Sequence, residues 1–245
     1  MKVGTDALLL GASVSVKGIS QVLDIGTGTG ILSLMLAQRS MARIDAVEID
    51  ANAAKQAGEN FANSSWSYRL RVFNVPVQEF QPETGHRYDL IISNPPFFEG
   101  NEKAAKESAK YRERELARSI SGLTPQELFT NAARLLKPSG RFSAIFPYSS
   151  FGAMISVAES QGLFINEIIE ISSRSGQAPV RVILSFSFQA SLPKKETLMI
   201  YEANGTYTDA YIQLTRPFYA IDMQNRKNQR NNETRKPKET NSALA

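Results

Sequence analysis

Residues 21–39 read QVLDIGTGTGILSLMLAQR. Gln21–Ile25 is a short apolar run stopped by glycine, the pattern of a buried strand. The turn Asp24-Ile25-Gly26-Thr27-Gly28-Thr29-Gly30 follows it. Ile31, Leu32, Leu34, Met35 and Leu36 then recur at helical spacing, which predicts a helix over residues 29–39. Three residues of the turn lack a Cβ, so a ligand can approach its backbone closely. The start of the helix offers N–H groups to a carboxylate or phosphate. A dinucleotide turn of the G-x-G-x-x-G type needs glycine where Ile31 stands, and no Gly-Lys-Ser/Thr follows to make a P-loop.

Outward from this turn, short apolar runs alternate with longer helical patterns. Strands are predicted over 43–49, 69–73, 88–93 and 141–146, and helices over 51–63, 124–136 and 150–161. Pro138-Ser139-Gly140 reads as the stop of the second of these helices. Two apolar runs, 164–171 and 180–188, are joined by a loop with Ser175-Gly176 and read as a hairpin. This order predicts an α/β fold: a mostly parallel central sheet flanked by helices, with an antiparallel strand at the end. Gly4-Thr5-Asp6 reads as the cap of an N-terminal helix.

The chain has 245 residues, no cysteine and one histidine, His86. That composition excludes a disulfide framework, a thiolate metal site and a cysteine nucleophile, and no metal centre is expected. A thiol-free chain with no apolar run of membrane-spanning length fits a cytoplasmic protein. Net charge is +4, and residues 1–222 hold 22 basic and 22 acidic side chains. The excess therefore sits in residues 223–245, with Arg226, Lys227, Arg230, Arg235, Lys236 and Lys238 against Glu233 and Glu239. This tail has no aromatic residue and reads as disordered, outside a single domain of residues 1–222. The sequence names no oligomeric partner.

Two further stretches carry chemistry. Ala46-Val47-Glu48-Ile49-Asp50 ends the second predicted strand. There Glu48, between Val47 and Ile49 read as buried, can accept from both hydroxyls of a ribose, and Asp50 can cap the next helix. Ser93-Asn94-Pro95-Pro96-Phe97-Phe98 ends the fourth strand, where α/β sheets place ligands. Pro95 and Pro96 stiffen the backbone and remove two N–H donors. Free carbonyls, the amide oxygen of Asn94 and the ring of Phe97 together suit an exocyclic –NH2 on a planar group.

The aspartate-led glycine turn resembles motif I of class I methyltransferases that use S-adenosyl-L-methionine (SAM), which implies a Rossmann-like fold. Asn94-Pro95-Pro96-Phe97 resembles motif IV of enzymes that methylate adenine N6, guanine N2 or glutamine N5. The stretch Met1-Lys2-Val3-Gly4-Thr5-Asp6-Ala7-Leu8-Leu9-Leu10-Gly11-Ala12, Ala117-Arg118 and the segment from Leu198 to Tyr219 are similar to signatures of the bacterial tRNA1(Val) (adenine-37-N6)-methyltransferases. The resemblance covers residues 1–222 and implies SAM as cofactor and tRNA as partner. It implies Lys2, Gly4, Thr5, Asp24, Gly26, Thr27, Gly28, Gly30, Glu48 and Asn94 at the cofactor, with Asp6 near its methionine end. It implies Asn94, Pro95, Pro96 and Phe97 at the amine. Family members usually carry a segment before the Met-Lys-Val-Gly-Thr-Asp signature. They also commonly carry an acidic residue after the third strand, where this chain has Pro76.

Lys103, Lys106, Lys110, Arg114 and Arg118 fall three and four apart, a stripe on one face if helical, suited to a phosphate backbone; Lys194 and Lys195 add basic surface. Two alternatives stay open at this point: a protein glutamine N5-methyltransferase, since an amide –NH2 meets the same acceptors, and a SAM-binding protein without catalysis.

Overall fold

The structure is a computed structural model and describes residues 4–85, 87–96 and 123–219. Lys2, His86, Phe97, Phe98, the stripe from Lys103 to Arg118 and the tail lie outside the described residues.

Among the described residues eight strands form one sheet in the order β3-β2-β1-β4-β5-β7-β6-β8. They are β1 (Gln21–Ile25), β2 (Arg43–Val47), β3 (Leu70–Phe73), β4 (Tyr88–Ser93), β5 (Leu136–Pro147), β6 (Phe164–Arg174), β7 (Arg181–Ser187) and β8 (Lys194–Tyr201). The central pairs β1–β2, β1–β4, β2–β3 and β4–β5 are parallel. β7 runs against both of its neighbours, β5 and β6, which gives the expected hairpin. β8 extends the sheet further, parallel to β6. Five strands and β6 and β8 therefore point the same way, and their C-terminal ends share one edge.

Among the described residues six helices cover the two faces: α1 (Thr5–Ser13), α2 (Ile31–Arg39), α3 (Ala51–Ala62), α4 (Pro125–Leu135), α5 (Phe151–Ser160) and α6 (Asp209–Thr215). Alternation along the strands divides the core. Leu90, Ile92 and Ile145 pack with Leu9, Leu36, Phe61 and Tyr211 from α1, α2, α3 and α6. Ile91, Phe142 and Phe146 pack with Leu128, Phe129 and Met154 from α4 and α5. The nearly continuous burial of β1, β2 and β4 is what helices on both faces require.

Local chemistry sets the helix ends. Asp50 caps α3 as expected, accepting from Ala53 N at 2.8 Å. Thr124 and Glu127 form a reciprocal capping box at α4. Helix α1 starts as expected, but Gly4 is its N-cap and makes no side-chain cap bond; Asp6 instead pairs with Arg181 at 3.0 Å. Helix α2 starts at Ile31 rather than residue 29, because Gly30 sits at φ +86°, outside helical space. Pro138-Ser139-Gly140 does follow the end of α4, yet lies within the span of β5. The register of β5 shifts there between Tyr88 and Leu90, so the turn is a bulge in the strand. Lys194 and Lys195 begin β8 opposite Glu167 and Ile168, at the sheet end away from Asn94, and Lys194 is ion-paired with Glu196. These two lysines therefore add nothing to a surface beside Asn94.

At that far end, Asp89 ties three strands together. Its Oδ2 accepts from Ser20 N, Ser20 Oγ and Gln21 N at 2.8–2.9 Å, and its Oδ1 meets Lys137 Nζ at 2.7 Å. Burial pushes this carboxyl up, but Lys137 and the Ser20 and Gln21 donors outweigh it and hold it at about 2. The folded value lies below the unfolded one, so its stabilisation is full above pH 3.8 and lost as pH falls towards 2. Asp89→Asn is expected to cost about 1–2 kcal/mol at pH 7, after allowing for solvent screening. Urea titrations of both proteins should show the difference closing across that acid window; a difference independent of pH would remove the ion pair from the explanation.

Candidate active site

The C-terminal ends of β1, β2 and β4 meet at one cavity. Its walls are Ile25 and Gly26 after β1, Val47, Glu48 and Ile49 after β2, and Val75, Pro76, Val77 and Gln78 after β3. Ser93, Pro95 and Pro96 after β4 and Leu123 before α4 complete them. The structure thus brings the glycine turn, the acidic strand end and the Asn-Pro-Pro bend to one place.

Asp24 is fully buried beneath the turn. Its Oδ2 accepts from Thr27 Oγ1 at 2.6 Å and from Ser33 Oγ at 2.8 Å. Its Oδ1 is buried without a hydrogen-bond partner among the described residues. Burial pushes the carboxyl up to about 6, against the Thr27 and Ser33 hydrogen bonds that pull it down, with Glu48 adding repulsion. A buried acceptor left open beneath a ligand-facing turn fits the ammonium group of an amino acid, met directly or through a water.

The folded value of Asp24 lies above the unfolded one, so its stabilisation is present below pH 3.8 and lost as pH rises through about 6. In the ligand-free protein Asp24→Asn should therefore gain about 2–3 kcal/mol at pH 8, and the gain should shrink to nothing near pH 4. Chemical denaturation across that range checks it; a variant less stable than the parent at pH 8 would mean that the carboxylate is compensated inside the fold.

The three glycines of the turn do different work. A Cβ on Gly30 would stand 2.5 Å from Phe61 Cε1, so Gly30 lets α2 pack on α3. A Cβ on Gly26 would meet nothing within 4 Å, and Gly26 holds φ +70° at the cavity wall. That is open space beside backbone, as a bound ligand needs. Gly28 spends its N–H on Glu48 Oε2 at 2.8 Å, and Gly26 N and Thr27 N donate to Val47 O. Much of the donor capacity expected of the turn thus goes into fixing β1 to β2.

Glu48 is held at both oxygens, Oε2 by Gly28 N and Oε1 by Asp50 N at 3.0 Å. A carboxylate has about four acceptor sites, so two remain for a pair of ribose hydroxyls. Asn74, which sequence reasoning did not assign, fixes this turn by donating from Nδ2 to the carbonyls of Glu48 and Ile49 at 2.8 and 3.1 Å. Its only signal was an asparagine just past a strand, a common turn position. Ile49 is 53% exposed rather than buried, because β2 ends at Val47 and the chain turns out of the sheet. It lines the cavity with Val75 and Pro76, and these apolar surfaces suit the faces of an adenine where the expected acidic residue is absent.

Ser93 Oγ donates to Ile25 O at 2.9 Å and locks the end of β4 to the end of β1. Asn94 follows, half-buried, then Pro95 buried and Pro96 exposed. Gly4 and Thr5 are not in this cavity. They line a second one between α1 and α2, with Leu8, Ile31, Trp66, Tyr211 and Tyr219. No group of three or more metal-ligating side chains and no helix long and apolar enough to cross a membrane occurs among the described residues.

Comparisons with known proteins agree with this geometry. The family model described as Methyltransferase small domain matches residues 2–148. A tRNA1(Val) (adenine(37)-N6)-methyltransferase of Aeromonas hydrophila is 41% identical over 221 residues, 89% of this chain and 90% of that one. Its namesake in Bacteroides fragilis strain YCH46 is 39% identical, over 89% and 91%. Among solved structures, a protein of Agrobacterium tumefaciens described as a predicted O-methyltransferase superposes with a TM-score of 0.65. It is 19% identical and matched over 89% of this chain and 98% of that one, a likeness of fold alone. The ribosomal protein L11 methylase of Lactobacillus delbrueckii superposes at 0.52, 17% identical, over 75% and 78%.

Proposed function

Because this chain belongs to the family of tRNA1(Val) (adenine(37)-N6)-methyltransferases, we propose that it transfers a methyl group from SAM to the exocyclic N6 of adenine 37 of a tRNA1(Val). The observation that carries the reading is the single cavity shared by Gly26, Glu48, Pro95 and Pro96. When bound, SAM supplies an electrophilic methyl group on a sulfonium.

The chain's own residues then do the rest. Asp24 receives the cofactor's ammonium, Glu48 its ribose hydroxyls, and Ile49 and Pro76 its adenine. Gly26, Thr27, Gly28 and Gly30 shape the turn that lets it approach. Lys2 belongs to the methionine end in this reading, whereas Gly4 and Thr5, which line the other cavity, are not assigned to it. The amine of the target adenine is a weak nucleophile, since its lone pair is delocalised into the ring. Asn94 Oδ1 and the Pro95 carbonyl accept its two N–H groups and draw the nitrogen towards a pyramidal, localised lone pair. The same acceptors stabilise positive charge growing on nitrogen as the bond forms, an effect larger in the transition state than in the ground state. The surplus proton leaves to water after transfer. Pro96 stiffens the bend, and Phe97 stacks the base, with the stripe of Lys103, Lys106, Lys110, Arg114 and Arg118 along the RNA backbone.

The experiment is incubation with methyl-labelled SAM and total tRNA from a strain lacking the modification, followed by nucleoside mass spectrometry. N6-methyladenosine in tRNA1(Val) is expected. Label in protein glutamine, or in no acceptor, would turn the reading towards the amide methyltransferases or a binding protein.

A further inference from the structure

On the sheet edge that carries the Asn-Pro-Pro bend, just past the end of β5, stand two half-buried aromatic side chains that the chemistry above does not use. Tyr148 and Phe151 stack with ring centroids 5.8 Å apart and planes 27° apart. Their place follows from register. In the parallel pair β4–β5, Ser93 lies opposite Ala144. Tyr148 directly follows Pro147, the last residue of β5, and so leaves the sheet at the same edge at which the neighbouring β4 ends.

The ring of Tyr148 is held in place. The backbone N–H of Tyr148 donates to Val180 O at 3.2 Å, and its side-chain hydroxyl donates to Glu170 Oε1 at 3.1 Å. Val180 itself is 43% exposed, so apolar surface continues from the ring pair along the same sheet edge. An anchored, half-buried flat pair on the sheet edge that carries the amine-binding bend is suited to a planar group. An adenine drawn out of a loop leaves its neighbour without a stacking partner. Single-stranded RNA bases commonly restore that loss on aromatic side chains.

We propose that Tyr148 and Phe151 form a stacking platform for the nucleobase directly flanking the target adenine, a proposal that rests on the tRNA reading above. The platform supplies binding and positioning, not chemistry. It acts on the RNA and leaves the cofactor site untouched.

The test is a double-mutant cycle between protein and RNA, using an anticodon stem-loop hairpin and the same hairpin made abasic at either flanking position. With the parent protein, one of the two abasic hairpins should show a KM raised about ten-fold and kcat changed less than two-fold. Tyr148→Ala should raise the KM of the intact hairpin by a similar factor. It should show no further loss on that abasic hairpin and bind S-adenosylhomocysteine as the parent does. Tyr148→Phe, which keeps the ring and loses the bond to Glu170, should retain most of the discrimination. Equal and additive losses would overturn the platform. So would a parent protein indifferent to both abasic hairpins, a comparison that needs no variant and stands even if Tyr148→Ala does not fold. A parent that leaves every hairpin unmethylated would instead defeat the tRNA reading on which the platform depends.

Discussion

Asn94→Ala should lower kcat by about 10²–10³-fold while cofactor affinity changes less than three-fold, the loss typical of one preorganised acceptor facing developing charge. The reason is positional. Ser93 pins the end of β4 to Ile25, so Asn94 begins the bend beside the glycine turn. Pro95 is buried and cannot turn its N–H to an alternative partner, since it has none. Removing the amide leaves the Pro95 carbonyl as a single acceptor, which can orient the amine but cannot grip both of its hydrogens. Asn94→Asp keeps an acceptor in place and should retain activity within about ten-fold of the parent, whereas Asn94→Leu should match the alanine variant. Single-turnover rates with saturating RNA read this directly. Equal rates for the aspartate and leucine variants would mean that Asn94 contributes shape and not a hydrogen bond.

Glu48→Ala should raise the Kd for S-adenosylhomocysteine roughly 30- to 150-fold, about 2–3 kcal/mol, through two losses of different kind. The ribose loses its charged acceptor. The turn loses the bond from Gly28 N and the bond from Asp50 N, so the backbone that receives the cofactor is less well fixed. Glu48→Gln separates the two: its amide oxygen can still hold one backbone N–H, so the turn stays closer to its native form while the charge is gone. An affinity between those of the parent and the alanine variant is expected by titration calorimetry. Unchanged affinity in Glu48→Ala would reject Glu48 as the ribose acceptor and move the sugar elsewhere in the cavity.

Much of this site was legible in the sequence because its signals are local. Gln21–Ile25 and Tyr88–Ser93 are continuous apolar runs with sharp ends, and the chemistry sits at those ends. Asp50 was legible as a cap for the same reason. What the sequence concealed depends on contacts between distant segments. Glycines alike in sequence divide into one that packs on Phe61 and one that faces open space. Ile49 reads as a strand residue until β2 is seen to stop at Val47. The strand β8 is obscured because Lys194, Lys195, Glu196 and Thr197 make up its exposed half and only Leu198 and Ile200 show alternation. Thr5 suits a cap by type, but Gly4 takes that place and Asp6 goes to Arg181 on another strand. Tyr148 has no motif to announce it. It gains meaning only from the register of β4 with β5 and from its ties to Val180 and Glu170.

A crystal structure of the full chain with S-adenosylhomocysteine addresses the shared cavity in one measurement. The ribose hydroxyls should lie on Glu48, the adenine between Ile49 and Pro76, and the sulfur should face Asn94 across a gap wide enough for a nucleobase. A product molecule seated instead in the cavity between α1 and α2, or with its sulfur directed away from Asn94, would contradict the union of cofactor and amine on which the proposed methyl transfer depends.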